Sequence, residues 1–274
     1  MFEVFNAHDI GFFFYNGGGD SQDTTYKISE MAKMLNFPLK CIGIPKTVDN
    51  DLPFTDCSPG FGSVAKYVAT STLEAGLDVK SMAETSTKVF ILEVMGRHAG
   101  WIAAASCLAS NKKEDPPHII LLPEIPFEKR KFINKVKSTI KNNGYCVIVA
   151  SEGTRTKDGK FLADSGLTDA FGHKQLGGVA PVLAEIISKI GLKNHWAVAD
   201  YLQRSARHLA SKTDLTQAYE VGVQAVKLAL KGETGVMPII KRLKDSPYKW
   251  TTSMVSLKDV ANIEKTMPKK FITK

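Results

Sequence analysis

With 274 residues, 43% of them hydrophobic and 23% charged, the chain has ordinary globular composition and enough apolar material for one large core or two lobes. No charged-then-apolar leader and no apolar run near ~18 residues occurs, which argues against a membrane span and for a soluble chain. The net charge of +8 reads first as a solvated surface; as a sign of a partner it suits a small anion better than nucleic acid, because the lysines are scattered, with local clusters in "EKRKF" and "MPKK", and are not interleaved with aromatics.

Residues 10–15 read as a buried strand and "NGGGDS" as the turn after it. A buried strand this close to residue 1 is an unusual first element, so a front segment is expected upstream. Residues 21–36 have helical spacing at Ile28, Met31, Ala32 and Leu35, with Ser21 as N-cap. Residues 39–44 form the next strand, closing a right-handed βαβ unit. Residues 60–76 read as helix, "KVFILEV" (88–94) as a buried strand, and 99–110 as an Ala-rich helix with Trp101 in the core. "HIILLPE" (118–124) is a strand, 127–143 a basic amphipathic helix with a solvated face, and "YCVIVASEG" (145–153) a strand ending in Glu152. Helices come next at 178–190 and 216–231, and the C-terminal stretch has no clear pattern. Cys41, Cys107 and Cys146 lie in apolar segments, as buried free thiols do, and the four cysteines show no CxxC spacing. A reducing compartment, the cytoplasm, fits this usage.

Alternating strands and helices predict an α/β protein with parallel sheets, in which ligands gather at the carboxyl ends of strands. Four polar clusters fall at such ends. In the first, Gly17, Gly18, Gly19, Asp20 and Ser21 resemble an anion cradle at a helix N-terminus, although neither GK[ST] nor GxGxxG is present. Asp20 would repel a phosphate unless a cation lies between them. In the second, "PKTVDND", Lys46 is such a cation, Thr47 can donate to a phosphate or hydroxyl oxygen, and Asp49 can accept a proton from a hydroxyl undergoing phosphorylation. A turn with surface charges is the plainer explanation of the same string, and Asp51 has no role beyond support of the loop. In the third, Arg97 follows Met95 and Gly96, and its guanidinium suits a phosphoryl group. Glu152, in the fourth, can accept from sugar hydroxyls or cap the residues after it. Farther along, "ADYLQRSARH" carries Tyr201, Gln203, Arg204, Arg207 and His208. On a helix, Arg204 and His208 would share a face. His98 has no second ligand at metal spacing and reads as a packing or surface residue.

The strings "GGGDS", "PKTVDND", "MGRHAGW", "SEGT" and "YLQRS" occur here in the order and rough spacing of the phosphofructokinase family. They resemble most its pyrophosphate-dependent branch, over about residues 10 to 240. The resemblance implies two Rossmann-like lobes with parallel sheets, residues 1–60 with 203–235 forming the phosphoryl-donor lobe and 61–202 with 236–274 the sugar-phosphate lobe. Family chains begin with another strand and a GGxxPGxN turn, so the first lobe is expected to be incomplete. The implied reaction is reversible phosphoryl transfer from Mg²⁺-pyrophosphate to the 1-hydroxyl of fructose 6-phosphate, a glycolytic step.

Carried over by resemblance, Asp49 is the proton acceptor. Thr47, Val48, Asp49, Met95, Gly96, Arg97, Glu152, Tyr201, Leu202, Gln203 and Arg204 line the sugar phosphate. Asp20 stands where the ATP-using branch has glycine, and Lys46 is the matching lysine of the pyrophosphate branch. Gly19 departs from the Asp or Asn usual near the magnesium ion and offers no side chain to it. Lys88 and His195 lie near positions whose arginines reach a neighbouring subunit, and the family habit is a homo-oligomer, dimer or tetramer. The alternatives are a sugar-phosphate-binding or regulatory subunit without catalysis, an ATP-dependent 6-phosphofructokinase, and, against "MGR" and "YLQRS", another sugar or lipid kinase.

Overall fold

The structure is a computed structural model that describes residues 1–168, 174–176 and 178–272. In chain order the elements are α1 (Phe2–Ala7), β1 (Phe12–Gly17), α2 (Gly19–Met34), β2 (Lys40–Pro45), α3 (Phe61–Met82), β3 (Val89–Val94), α4 (Trp101–Ala105), β4 (Ile119–Leu121), α5 (Lys129–Asn143), β5 (Cys146–Ser151), β6 (Asp164–Thr168), β7 (Lys174–Leu176), α6 (Val179–Ser188), β8 (Asn194–Val198), α7 (Leu202–Ser205), α8 (Lys212–Leu230), β9 (Val236–Lys244), β10 (Lys249–Ser256) and α9 (Leu257–Val260). Among the described residues no helix is long and apolar enough to cross a membrane.

The chain divides into two units, Met1–Gly62 with Ser211–Lys265, and Ser63–Ala210 with Thr266–Lys274. Unit 1 holds a sheet of order β1-β2-β9-β10, and unit 2 a sheet of order β4-β5-β3-β8. Within unit 1, β1, β2 and β9 run parallel and β10 returns antiparallel to β9. Every ladder in the unit 2 sheet is parallel. The α/β expectation therefore holds, and both sheets are built on parallel strands.

The placement of residues 236–265 corrects the division expected from sequence. The family pattern puts them in the second lobe, but β9 pairs with β2 and carries β10 with it into the unit 1 sheet. Leu52, Met237, Ile239, Leu257 and Val260 form one buried cluster there. Residues 203–210, expected in the first lobe, belong to unit 2.

Local chemistry explains several boundary shifts. Helix α2 begins two residues before the expected start, with Gly18 as its N-cap in extended conformation, so Ser21 is inside the first turn and is not the cap. A side chain on Gly17 would place its Cβ 2.0 Å from the Ser21 hydroxyl, so the serine occupies space the glycine leaves open. The expected helix over 99–110 is α4 followed by a 3₁₀ turn at Ser106–Ala109, and the expected strand over 118–124 shortens to β4. Trp101, expected in the core, is half-buried at the head of α4.

Strand β1 is also corrected. Its sequence reads as buried, yet Phe12, Phe14 and Tyr15 are 48%, 37% and 39% exposed. An uninterrupted apolar run predicts burial on both faces, but β1 is an edge strand in this sheet, and only its Phe13 side packs against α1 and α2.

Cys41 and Cys146 are buried free thiols, whereas Cys107, expected to be buried, is exposed in the 3₁₀ turn after α4. Burial pushes the Cys41 thiol up to about 11 and the Cys146 thiol up to about 12. Because the thiolate is the reactive form, native protein treated with an aromatic disulfide reagent should label Cys107 first. Cys41 and Cys146 should react only on unfolding. Peptide mapping of the labelled sites checks this, and early labelling of Cys146 would contradict it.

Candidate functional site

In unit 1 the parallel register runs from Phe12↔Lys40 to Gly17↔Pro45, so β1 and β2 end level and their following loops start side by side. The Lys46 amide donates to the Gly17 carbonyl at 3.1 Å. The glycine turn lies against the second loop: a Cβ on Gly18 would come 3.6 Å from the Thr47 Cβ. Asp20 is exposed in the first turn of α2, where the helix N-terminus favours a negative charge. Lys46 is exposed, and Thr47, Val48 and Asp49 are half-buried.

A residue missed in the sequence holds these two strand ends together. Gln22, fully buried, donates through Nε2 to the Gly17 carbonyl at 2.9 Å and to the Ile44 carbonyl at 3.1 Å. The only sequence signal is a polar residue at a helix position that faces the sheet.

The loop after β2 is rigidly built. The Asp49 amide donates to Thr47 Oγ1 at 3.2 Å, and Thr47 forms a bridge with Gly60. Asn50 is left-handed (φ 55°) and turns the chain just past Asp49, while its Oδ1 accepts from the Ser58 amide at 2.9 Å. The β9–β10 hairpin braces the far side. The Asp56 amide donates to the Ile240 carbonyl at 2.8 Å, and the Ile240 amide donates to Thr55 Oγ1 at 3.1 Å. The Asp56 carboxylate accepts from Arg242 Nε at 2.9 Å and from the Tyr248 hydroxyl at 2.8 Å. Burial and that acceptor push the Tyr248 phenol up to about 12, so it stays a donor. Asp51, left without a role by the sequence, accepts through its main-chain carbonyl from the Lys265 amide at 2.6 Å.

In unit 2 the polar groups gather at the carboxyl ends of β3 and β5. Gly96 has φ 127°, and a Cβ there would lie 2.7 Å from the Ala99 carbonyl oxygen, so only glycine fits the turn. Its amide donates to Glu152 Oε1 at 3.3 Å, and the Met95 amide donates to Gln203 Oε1 at 3.3 Å. Gln203 also donates to the Asp200 carbonyl at 2.9 Å, so its buried side chain is engaged at both ends with backbone. Arg204 lies with its guanidinium 4.2 Å from the centre of the exposed Tyr201 ring. Arg97 is half-buried and Leu202 exposed.

Met95, Glu152 and Gln203 line a cavity of about 110 Å³ together with Glu93, Val94, Val198 and Asp200. Burial raises the Glu152 carboxyl, and Glu93 and Asp200 add to the rise, while the Gly96 amide and the Arg97 charge act against it. Glu93, only 1% exposed, accepts from the Gly178 and Ala180 amides at the start of α6. Burial raises it as well.

Two candidates stand elsewhere in unit 2. Lys88 precedes β3 and donates to the Ala83 carbonyl, at the end of the strand opposite Met95, roughly 20 Å away at strand rise. His195 pairs in register with Phe90 on the edge strand β8 and is exposed. The expected shared face of Arg204 and His208 is not formed, because α7 stops at Ser205 and Arg207–Leu209 is a separate 3₁₀ turn.

Among the described residues no three His, Cys, Asp or Glu side chains are grouped as a metal cage. A Cβ on Gly19 would meet nothing within 4 Å. Open space beside one exposed carboxylate, Asp20, fits a magnesium ion held chiefly by phosphate oxygens, which is how that ion is usually bound.

Comparison with known proteins gives consistent results. The family described as Phosphofructokinase matches residues 1–229. A "Pyrophosphate--fructose 6-phosphate 1-phosphotransferase" of Halomonas elongata is 64% identical over 273 residues, covering 99% of this chain and 65% of that protein. A protein of the same description from Methylococcus capsulatus is 58% identical, covering 100% of this chain and 65% of its own length. The crystal structure of a pyrophosphate-dependent phosphofructokinase from Marinobacter aquaeolei has a TM-score of 0.89 at 59% identity, covering 99% of this chain and 65% of that one. The chain thus spans about 65% of the length of these relatives.

Proposed function

The chain belongs to the phosphofructokinase family, and from that premise we propose that it serves reversible phosphoryl transfer from pyrophosphate to the 1-hydroxyl of fructose 6-phosphate. The observation that carries the donor choice is the level ending of β1 and β2, which sets the turn bearing Asp20 beside the loop bearing Lys46. A side chain at position 20 takes space and adds like charge where a nucleotide's inner phosphate would lie, and Lys46 offsets the charge of a donor as small as pyrophosphate.

In this reading Asp49 accepts the proton of the 1-hydroxyl as its oxygen bonds to the terminal phosphorus. The bond from that phosphorus to the bridging oxygen breaks, and orthophosphate leaves. A carboxylate of ordinary basicity suffices because the proton becomes acidic only as the new bond forms. Lys46 and Arg97 stabilise charge on the group in transfer. Gly17, Gly18, Gly19, Asp20 and Ser21 receive the donor at the start of α2. Asp20 would hold Mg²⁺ together with the donor oxygens, and the ion supplies charge neutralisation when bound. Thr47, Val48, Met95, Gly96, Glu152, Tyr201, Leu202 and Arg204 contact the sugar phosphate, and Gln203 acts through the Met95 peptide that it holds. Arg97 and Arg204 supply forked donors to phosphate. We assign Lys88 and His195 to a second copy's site in a cytoplasmic homo-oligomer, which accords with the distance of Lys88 from Met95 and with the exposure of His195 on the edge strand β8.

Coupled assays with pyrophosphate and, separately, with ATP test the donor. Turnover with pyrophosphate and at most a trace with ATP is expected, and turnover with ATP alone sinks the assignment. Calorimetry with fructose 6-phosphate separates the rival reading, since binding without turnover by either donor identifies a sugar-phosphate-binding subunit.

A further inference from the structure

Residues 230–274 lie outside the family match, and nothing in the reaction above uses them. We propose that Lys265 is a positioning residue, whose ammonium and amide fix the 50–58 loop and thereby the place of Asp49. The inference rests on the reading of Asp49 as proton acceptor.

Lys265 reaches the loop from the opposite end of the sequence with four donated hydrogen bonds. Its Nζ gives to Asn50 Oδ1 at 3.1 Å, the Thr55 carbonyl at 2.9 Å and the Asp56 carbonyl at 3.1 Å. Its amide gives to the Asp51 carbonyl at 2.6 Å. An ammonium has three donors and no acceptor, so all three point at groups of this one loop. Asn50 is the pivot. Its Oδ1 is shared between Lys265 and the Ser58 amide, and its left-handed backbone sets the direction in which the chain leaves Asp49. Asn50, Thr55 and Ser58 are all at most 3% exposed, so the loop carries buried polar groups that need partners. Lys265 meets that need from the centre of the loop, while Ile240, Arg242 and Tyr248 hold its outer end. Burial lowers the lysine's pKa, and the nearby Cys57, Asp56 and Asp51 act against this.

The test is Lys265→Met, which keeps the stem and the main-chain bond to Asp51 but removes the three ammonium donors, alone and combined with Asp49→Asn. Turnover with pyrophosphate should fall about tenfold to a hundredfold with KM for fructose 6-phosphate within about twofold, the scale of a small misplacement of a reacting group. The loss should be much smaller in the Asp49→Asn background, because the lysine acts through that carboxylate. Lys265→Arg should recover part of the rate. Hydrogen exchange gives a readout without catalysis: the Ser58 and Asp56 amides should exchange faster in Lys265→Met, while β3 and β5 amides are unchanged. Unchanged exchange at Ser58 and Asp56, or equal losses in both backgrounds, overturns the proposal. If wild type turns over neither pyrophosphate nor ATP, the functional reading fails, and exchange still decides whether the clamp exists.

Discussion

Asp49→Asn is expected to lower the pyrophosphate-dependent kcat by about 10²–10⁴-fold, the usual worth of a positioned general base. That is about 3–5 kcal/mol of transition-state stabilisation. Asparagine keeps the size and hydrogen-bonding outline of the side chain. The hydrogen bond to Thr47 comes from the main-chain amide of residue 49, so the substitution leaves it in place. KM for fructose 6-phosphate should therefore move by no more than a few-fold, and both directions of the reaction should slow equally, since the same group returns the proton. Steady-state kinetics in each direction, with calorimetric affinity for the sugar phosphate, checks the split. A kcat within threefold of wild type removes Asp49 from the role.

Gly153→Ala should have a comparable effect by a different route. A Cβ at Gly153 would lie 2.1 Å from the Arg97 carbonyl oxygen and 2.6 Å from the Gly96 carbonyl oxygen. Both neighbours are backbone, so the Met95–Gly96–Arg97 turn must move as a piece. Shifts near 1 Å can cost about 10²-fold in a positioned site, and overpacking costs about 1–3 kcal/mol of stability. Turnover should fall about a hundredfold, with weaker affinity for fructose 6-phosphate read by calorimetry and a lower unfolding midpoint. Gly222→Ala is the control. It lies within α8 with nothing within 4 Å of an added Cβ, so helix propensity alone should raise stability by about 0.5–1 kcal/mol. Wild-type affinity in Gly153→Ala would show that the turn does not hold the sugar phosphate.

The central strands were legible because parallel strands buried on both faces read as unbroken apolar runs, as β3 and β5 do. The same rule misread β1, since a run such as "FFFY" does not report whether both faces have a covering layer. The C-terminal hairpin was illegible for a related reason. In β9 four buried residues are followed by four exposed ones, which is neither alternation nor a continuous run. Short elements such as α1 and α9 carry too few residues to show a period. In the site, the residues with chemistry of their own stood out at strand ends. Gln22 and Lys265 did not, because their roles depend on partners that only the folded chain brings near: two strand ends for Gln22, and a loop some 210 residues earlier for Lys265.

That separation has a consequence for the order in which the protein becomes competent during synthesis. The loop after β2 leaves the ribosome well before its braces, since its bonds to Ile240 and Lys265 span 185 and up to 215 residues. At about 5–20 residues per second, roughly ten to forty seconds pass between the two ends of that clamp. Through this interval the nascent chain carries the loop with its braces still unmade. The end of unit 1 that bears Asp49 is thus fastened only once β9 and Lys265 have been made, and a ribosome stalled after α8 would hold a chain with this loop unfastened.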